Sequence, residues 1–288
     1  MIIDIKKNKI DNIFKELINN PKNHIPNSKN YLYYKKYFEK YYVEHKQRKL
    51  SHIYLGEIGS IKLPFYQMGN ISSYNLLGID ELIIFCFYIK KKNKLKNVAD
   101  LGANIGLHSI ILDKLNFNVK SFEPDSEHLI ELKKNLLLNK SKKVQTYGMA
   151  IDIKHHKVEF TRLLNNTTAS FIKKSKKNYY GPIKKTFVKT YPFKKILNWA
   201  NMLKIDVEGM EAELIENTYI DDWNNKLAII EIGTEENAEK IFDYAKKIQL
   251  NIFSQKLGWN KALKLKDVPK NYKDGSVILT SEKDNPWH

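Results

Sequence analysis

The stretch that most constrains the fold is Val98-Ala99-Asp100-Leu101-Gly102-Ala103-Asn104-Ile105-Gly106, followed by Phe122-Glu123-Pro124. An apolar strand over residues 97–101 runs into a glycine-containing turn. A helical pattern starts near Ile105, and a second strand over residues 118–122 ends on a carboxylate. That order builds a ligand crevice at the carboxyl ends of parallel strands.

The turn discriminates between ligands. Gly102 can take positive φ and lets a ligand approach the backbone closely. A dinucleotide turn reads G-x-G-x-x-G, with the pyrophosphate on the helix N-terminus. Here the run is D-x-G-x-N-x-G: Asn104 holds the middle glycine position, and no third glycine follows Gly106 at the required spacing. Asp100 beside the turn would repel a pyrophosphate. It suits the amino group of an amino-acid moiety, or a water held by it. Glu123 lies where a second-strand carboxylate accepts both ribose hydroxyls. Together these features favour S-adenosyl-L-methionine over a dinucleotide.

A second motif is Leu203-Lys204-Ile205-Asp206-Val207-Glu208-Gly209-Met210-Glu211. An apolar strand over residues 201–205 ends in two carboxylates with one residue between them. Gly209 breaks the strand, and a helix follows over residues 210–217. Strand alternation sends Lys204, Asp206 and Glu208 to one side. A Lys-Asp-Glu set at the crevice mouth can orient and deprotonate a hydroxyl, with Asp206 as first candidate base, Glu208 next and Lys204 holding the acceptor. Glu211 reads instead as an acid favouring a helix N-terminus. A hard cation needs several convergent oxygen ligands. With no third acid placed beside Asp206 and Glu208, no metal is expected.

DLGANIG, SFEP, the Asn135/Asn139 pair in KKNLLLN, and KIDVEGME together resemble the FkbM-type methyltransferases. KIDVEGME, about 100 residues after DLGANIG, is the more specific element. The resemblance runs from about Ile79 to the end of the chain. It implies an α/β, Rossmann-like class I methyltransferase fold with a seven-stranded, mostly parallel sheet flanked by helices. It also implies S-adenosyl-L-methionine as donor and an oxygen of a sugar, glycan or small secondary metabolite as acceptor. Residues 1–78 fall outside that core and form an N-terminal extension, with the methyltransferase domain over 79–288.

The strand–helix alternation supports a parallel, doubly wound sheet. Strands are expected at 97–101, 118–122, 143–149, 157–163 (where the residues alternate), 187–191, 201–205 and 226–232, with a closing pair at 250–254 and 276–280. Helices are expected at 105–115, 126–138 and 235–248. Glu231 ends its strand at the same carboxyl edge and is a candidate to face the acceptor. The segment after the third strand, Gly148 to Asp152, lies beside the adenine in this fold class. Asp152 there either accepts from the exocyclic amine or caps the next turn. The loop Asn165-Asn166-Thr167-Thr168-Ala169-Ser170 suits hydrogen bonding to a polyol, and the lysine-rich insertion reaching Tyr180 suits a lid. His108, one turn into the first helix, either reaches the crevice or packs. Trp259 either lines a pocket or packs.

Net charge is +17, and residues 1–99 carry 18 Lys and Arg against 8 Asp and Glu. Such a balance invites a nucleic-acid partner. Arginine is nearly absent, however, with only Arg48 and Arg162, and specific recognition of bases and phosphates leans on arginine forks. A nucleic-acid N-methyltransferase also needs a proline–aromatic motif after the fourth strand, where this chain has Asp-Val-Glu-Gly. Nucleic acid is therefore the weaker alternative, alongside a non-catalytic binding protein on the same scaffold. The run YLYYKKYFEKYY over 31–42 reads either as a single-strand stacking surface or as an amphipathic helix packing its tyrosines. One cysteine, Cys86, excludes an internal disulfide and a Cys-rich zinc site. Residues 1–10 carry scattered lysines and no apolar core of a signal peptide. The longest apolar run, 82–89, is too short to span a bilayer. A cytoplasmic location is the resulting expectation.

Overall fold

The computed structural model describes residues 2–43, 50–172 and 181–288. The N-terminal segment opens with α1 (Ile2–Asn19) and α2 (Lys29–Val43). Ile10, Ile13, Phe14 and Leu17 recur at helical spacing and are all buried. On α2, Tyr31, Tyr34 and Phe38 form the buried stripe, while Tyr33 on the opposite face is exposed. The lysine–tyrosine run is therefore a packing helix. An antiparallel hairpin follows, β1 (Leu50–Tyr54) with β2 (Ser60–Pro64), then the short pair β3 (Gln67–Met68) and β4 (Ile71–Ser72). Helix α3 (Ile79–Lys91) is apolar almost all round and buries Leu82 through Ile89. Cys86 lies within it, fully buried, with its thiol pushed up by that burial.

The remainder is α/β. In chain order it comprises β5 (Asn97–Leu101), α4 (Leu107–Lys114), β6 (Asn118–Phe122), α5 (Ser126–Leu138), β7 (Val144–Tyr147), β8 (Ala150–Asp152) and β9 (Lys157–Leu163). Then come β10 (Phe171–Ile172), β11 (Ile183–Pro192), α6 (Phe193–Trp199), β12 (Met202–Ile205), α7 (Glu211–Glu216) and β13 (Leu227–Glu231). The chain closes with α8 (Glu235–Lys247), β14 (Asn251–Ser254), β15 (Asn260–Lys261) and β16 (Ser276–Thr280).

The main sheet has the order β15-β14-β16-β13-β12-β5-β6-β7. Strands β13, β12, β5, β6 and β7 run parallel, and β16 inserts antiparallel between β13 and β14. This is the Rossmann-like class I methyltransferase arrangement that the motifs imply. Seven strands carry it, and the eighth, β15, adds only two residues beside β14 at one edge. The order reverses between β5 and β12, which opens the crevice at their carboxyl ends.

Two apolar clusters cover the two faces. One joins α3, α4 and α5 with α1, α2 and the β1–β2 hairpin. The other joins α6, α7 and α8. Trp259 belongs to the first. It stacks on Trp287 at 5.3 Å and 12°, and its indole donates to His24 Nδ1 at 2.7 Å. It is a packing residue.

A smaller sheet of order β10-β9-β11-β8 stands over the carboxyl edge. Strands β9 and β11 are legible in the sequence, but β8 lies where a loop was expected and pairs parallel with β11 through Ala150↔Thr190 and Ile151↔Tyr191. The suggested lid up to Tyr180 lies, over residues 173–180, outside the described residues. Among the described residues no helix is long and apolar enough to cross a membrane.

Candidate donor and acceptor site

The turn after β5 is latched to the end of β6. The Gly102 and Ala103 amides both donate to the Phe122 carbonyl at 3.0 Å. Gly102 has φ +78°, and a Cβ there would lie 1.9 Å from the Asp206 carbonyl oxygen. Glycine is thus required because the chain leaving β12 crosses directly against the turn. Asn104 takes φ +50°, which turns its amide to donate to Glu123 Oε2 at 2.7 Å. The Asp125 amide holds Glu123 Oε1 at 2.8 Å. Gly106, φ +87°, opens α4 against Leu132 and contributes no wall to the crevice. Asn135 donates to the Ile105 carbonyl at 2.9 Å. The family-like asparagine pair is therefore a brace, and Asn139 exchanges two 2.8 Å bonds with the Lys62 backbone of the N-terminal hairpin.

The crevice is a cavity of about 200 Å³, below the about 300–1,000 Å³ usual for drug-sized sites. Gly102, Asn104, Phe122 and Glu123 form one wall. The smaller sheet and its loops add Ile151, Phe160, Phe171 and Ile172, with Thr167, Thr168 and Ser170 as polar groups. His128 also lines it and bonds Thr167 Oγ1 at 2.8 Å. The far end carries Glu81, Asp206, Glu208 and Glu231.

The donor set fits a sulfonium nucleoside. Glu123 presents a carboxylate at the carboxyl end of β6, beside apolar side chains suited to a base. Asn104 Oδ1 and Asp100 Oδ1 are buried with no hydrogen-bond partner among the described residues, and buried polar groups rarely remain so. Burial pushes the Glu123 carboxyl up to about 8, against the two amide bonds that pull it down.

Of the residues singled out in the sequence, Gly102, Asn104, Glu123, Asp206 and Glu208 line the crevice. Asp100 is fully buried behind the wall, with Oδ2 accepting from Ser109 at 2.6 Å. It stands in register with Lys204 on the neighbouring strand. Lys204 donates to Asp206 Oδ2 at 2.9 Å. Burial disfavours its charge, but Asp206, Asp100 and Glu81 outweigh that and raise its pKa. Asp152 is fully buried and turned aside: it accepts from the Ile153 amide at 2.7 Å and lies 3.4 Å from His156 Nε2. Its neighbours Ala150 and Ile151 reach the crevice instead.

Strand alternation does not bring Glu208 in, because β12 ends at Ile205. A turn does, with Glu208 itself at φ +55°, a conformation costly for a residue with a side chain. Glu211 closes that turn by accepting from the Val207 amide at 2.9 Å, the Gly209 amide at 3.0 Å and Asn237 Nδ2 at 2.6 Å. It has the structural role that the sequence favours for it.

His108 is buried outside the wall, but its Nε2 bonds Glu81 Oε2 at 2.6 Å and its Nδ1 bonds the Tyr88 hydroxyl at 2.9 Å. Glu81 and His128 escaped the sequence reading. Glu81 looks there like an ordinary acid in the first turn of an apolar helix, and nothing local reveals that α3 turns this residue to the crevice. Burial raises the Glu81 carboxyl, but His108 and Lys204 outweigh it and bring it below the usual range. Burial, with Asp206 and Glu81 nearby, drives Glu231 well above that range. Among the described residues, no group of three or more His, Cys, Asp or Glu side chains is placed to hold a metal ion.

The sheet order and this crevice define a methyltransferase of the Rossmann-like class. The methyltransferase FkbM domain family matches residues 100–255, and the chain belongs to that family. Its methyl donor is S-adenosyl-L-methionine. No curated protein matches the chain. Similar solved structures include the precorrin-6y C5,15-methyltransferase of Geobacter metallireducens, 12% identical over 70% of this chain and 88% of that one, with a TM-score of 0.39. An rRNA methylase of Streptococcus thermophilus is 8% identical over 70% of this chain and 95% of that one, TM-score 0.39. The tRNA (uracil-54, C5)-methyltransferase of Pyrococcus abyssi, in complex with S-adenosyl-L-homocysteine, is 9% identical over 81% of this chain and 44% of that one, TM-score 0.39.

Proposed function

We propose that the protein transfers a methyl group to a hydroxyl of a sugar, glycan or small metabolite. Glu123 and Asn104 hold the donor nucleoside, and Asp206 serves as general base. The observation that carries this reading is the acceptor end of the crevice. Asp206, Glu208 and Glu231 line it, Thr167, Thr168 and Ser170 line the crevice beside the smaller sheet, and among the described residues no lysine or arginine lines the crevice anywhere. Binding of nucleic acid draws on cations facing its phosphates, so the +17 charge resides elsewhere on the molecule. Hydroxyls and carboxylates instead match the donors of a neutral polyol.

The sulfonium supplies an activated methyl, so the protein has to align the acceptor oxygen and remove its proton. Lys204, anchored between strands, fixes the Asp206 carboxylate at the crevice mouth. Asp206 takes the hydroxyl proton as the O–CH3 bond forms and the S–CH3 bond breaks, the sulfonium leaving as a neutral thioether. The base is worth about 10²–10⁴-fold.

The test combines calorimetry with an acceptor screen. S-adenosyl-L-homocysteine should bind the intact protein and lose affinity in Glu123→Ala, with NAD showing no binding. Labelled methyl should then pass to members of a sugar and polyol panel and not to tRNA, and Asp206→Asn should lower turnover by about 10²–10⁴-fold. Transfer to tRNA alone overturns the acceptor reading. Unchanged turnover in Asp206→Asn overturns the base assignment.

A further inference from the structure

We propose that Glu81 binds the α-ammonium group of the donor's amino-acid arm, with His108 as its positioning residue. The inference rests on the donor site described above and moves the amino group from Asp100, buried behind the wall, to Glu81, which lines the crevice.

The sheet sets the geometry. Glu123 at the end of β6 receives the ribose. The next strand ends are β5, then β12, then β13, spaced at about 4.8 Å. An amino-acid arm extending from that ribose over one or two strand ends reaches the space above β5 and β12. Glu81 stands there: His108, from the first turn of the helix after β5, holds Glu81 Oε2 at 2.6 Å. Glu81 Oε1 makes no hydrogen bond among the described residues. The Tyr88 hydroxyl, 2.9 Å from His108 Nδ1, fixes the ring. A hydroxyl both donates and accepts, so the ring keeps its partner in either protonation state.

Charge points the same way. The groups facing Glu81 are His108 from α4, Lys204 from β12 and Glu231 from β13, with Asp206 and Asp100 joined to it through Lys204. Glu81, Asp100 and Asp206 are three carboxylates around the single ammonium of Lys204, which is bound to Asp206 at 2.9 Å. Asp100 Oδ1 is buried without a hydrogen-bond partner. With His108 on its Oε2, Glu81 still has Oε1 to offer a further donor. Of these carboxylates, Asp100 lies behind the wall and Asp206 is engaged by lysine. Glu81 is in the wall with an oxygen to offer.

The experiment is calorimetry on the full chain with two probes, S-adenosyl-L-homocysteine and its deamino analogue, which keeps the carboxylate and lacks only the amine. The intact protein should bind the analogue about 10–100-fold more weakly, the range of a hydrogen bond to a charged group. Glu81→Gln should bind the two probes equally, by losing affinity for S-adenosyl-L-homocysteine alone. His108→Gln should narrow the preference several-fold and keep nucleoside binding. Equal affinity of the intact protein for both probes overturns the proposal without needing any variant to fold. So does a Glu81→Gln protein that retains the preference. If the intact protein binds neither probe, the donor site itself is misassigned and the proposal falls with it.

Discussion

Glu123 is pulled in two directions. Two backbone amides favour its charged form, while burial disfavours it, and burial prevails to bring the carboxyl up to about 8. A carboxyl raised in the folded state stays protonated there while the unfolded chain has released its proton. Its contribution to stability is therefore full below the ordinary glutamate value and declines as pH rises through about 8. Glu231, also raised, acts with the same sign. Above pH 6.5 the buried His24, lowered to about 4, no longer contributes a slope. The melting temperature of the ligand-free protein should therefore fall by a few degrees between pH 6.5 and 8. In Glu123→Gln the decline should be shallower, read by scanning calorimetry at constant ionic strength. An unchanged slope in the variant would assign the proton to another group. Asn104 and Glu123 were legible in the sequence because each belongs to a strand end whose chemistry is local. Asp152 was not, because its orientation depends on β8 pairing with β11, whose partner residues lie 40 positions along the chain.

At the scale of elements, the donor turn is built by what presses on it from outside its own motif. The chain leaving β12 packs against Gly102, Asn135 of α5 holds the Ile105 carbonyl, and Asn139, the C-cap of that helix, clamps the β1–β2 hairpin. The four-residue spacing of the two asparagines placed them on one helical face. It could not name Lys62 as a partner, which lies 77 residues away in the chain. The smaller sheet is a similar case: the alternation in β9 was visible, its pairing was not. Asn139→Ala removes both bonds to Lys62 and leaves a backbone amide and carbonyl to find water. The expected cost is about 1–3 kcal/mol, seen as a lower urea midpoint with an unchanged slope. Donor affinity should move less than in Glu123→Ala, since no residue of the β1–β2 hairpin lines the crevice. A loss of donor binding as large as that of Glu123→Ala would show that the clamp shapes the crevice directly.

Across the whole molecule, the N-terminal segment and one face of the sheet are one apolar body. Ile10, Phe14, Leu17 and Phe38 share a continuous cluster with α3, α4 and the edge of β5. The other end of the chain enters the same body. His24 accepts from the Trp259 indole at 2.7 Å, Gln255 donates to Asp80 at 2.6 Å, and Trp287 donates to the Ile18 carbonyl at 3.2 Å. Sequence similarity drew its boundary at Ile79, because DLGANIG, SFEP and KIDVEGME sit around the crevice, whereas the N-terminal contacts are apolar packing and scattered hydrogen bonds. Folding cooperativity follows shared burial, and α3, buried almost all round, has no second surface to offer solvent. Residues 79–288 alone should therefore lack a cooperative transition and bind a hydrophobic dye, as compact states without fixed packing do. The full chain should unfold in one step, with tryptophan fluorescence and far-ultraviolet dichroism superimposing along the urea axis. Two separated transitions, or a 79–288 fragment that melts cooperatively and binds S-adenosyl-L-homocysteine as the intact chain does, would make the N-terminal segment an independent accessory. Coincident curves would make it half of the core on which the donor site rests.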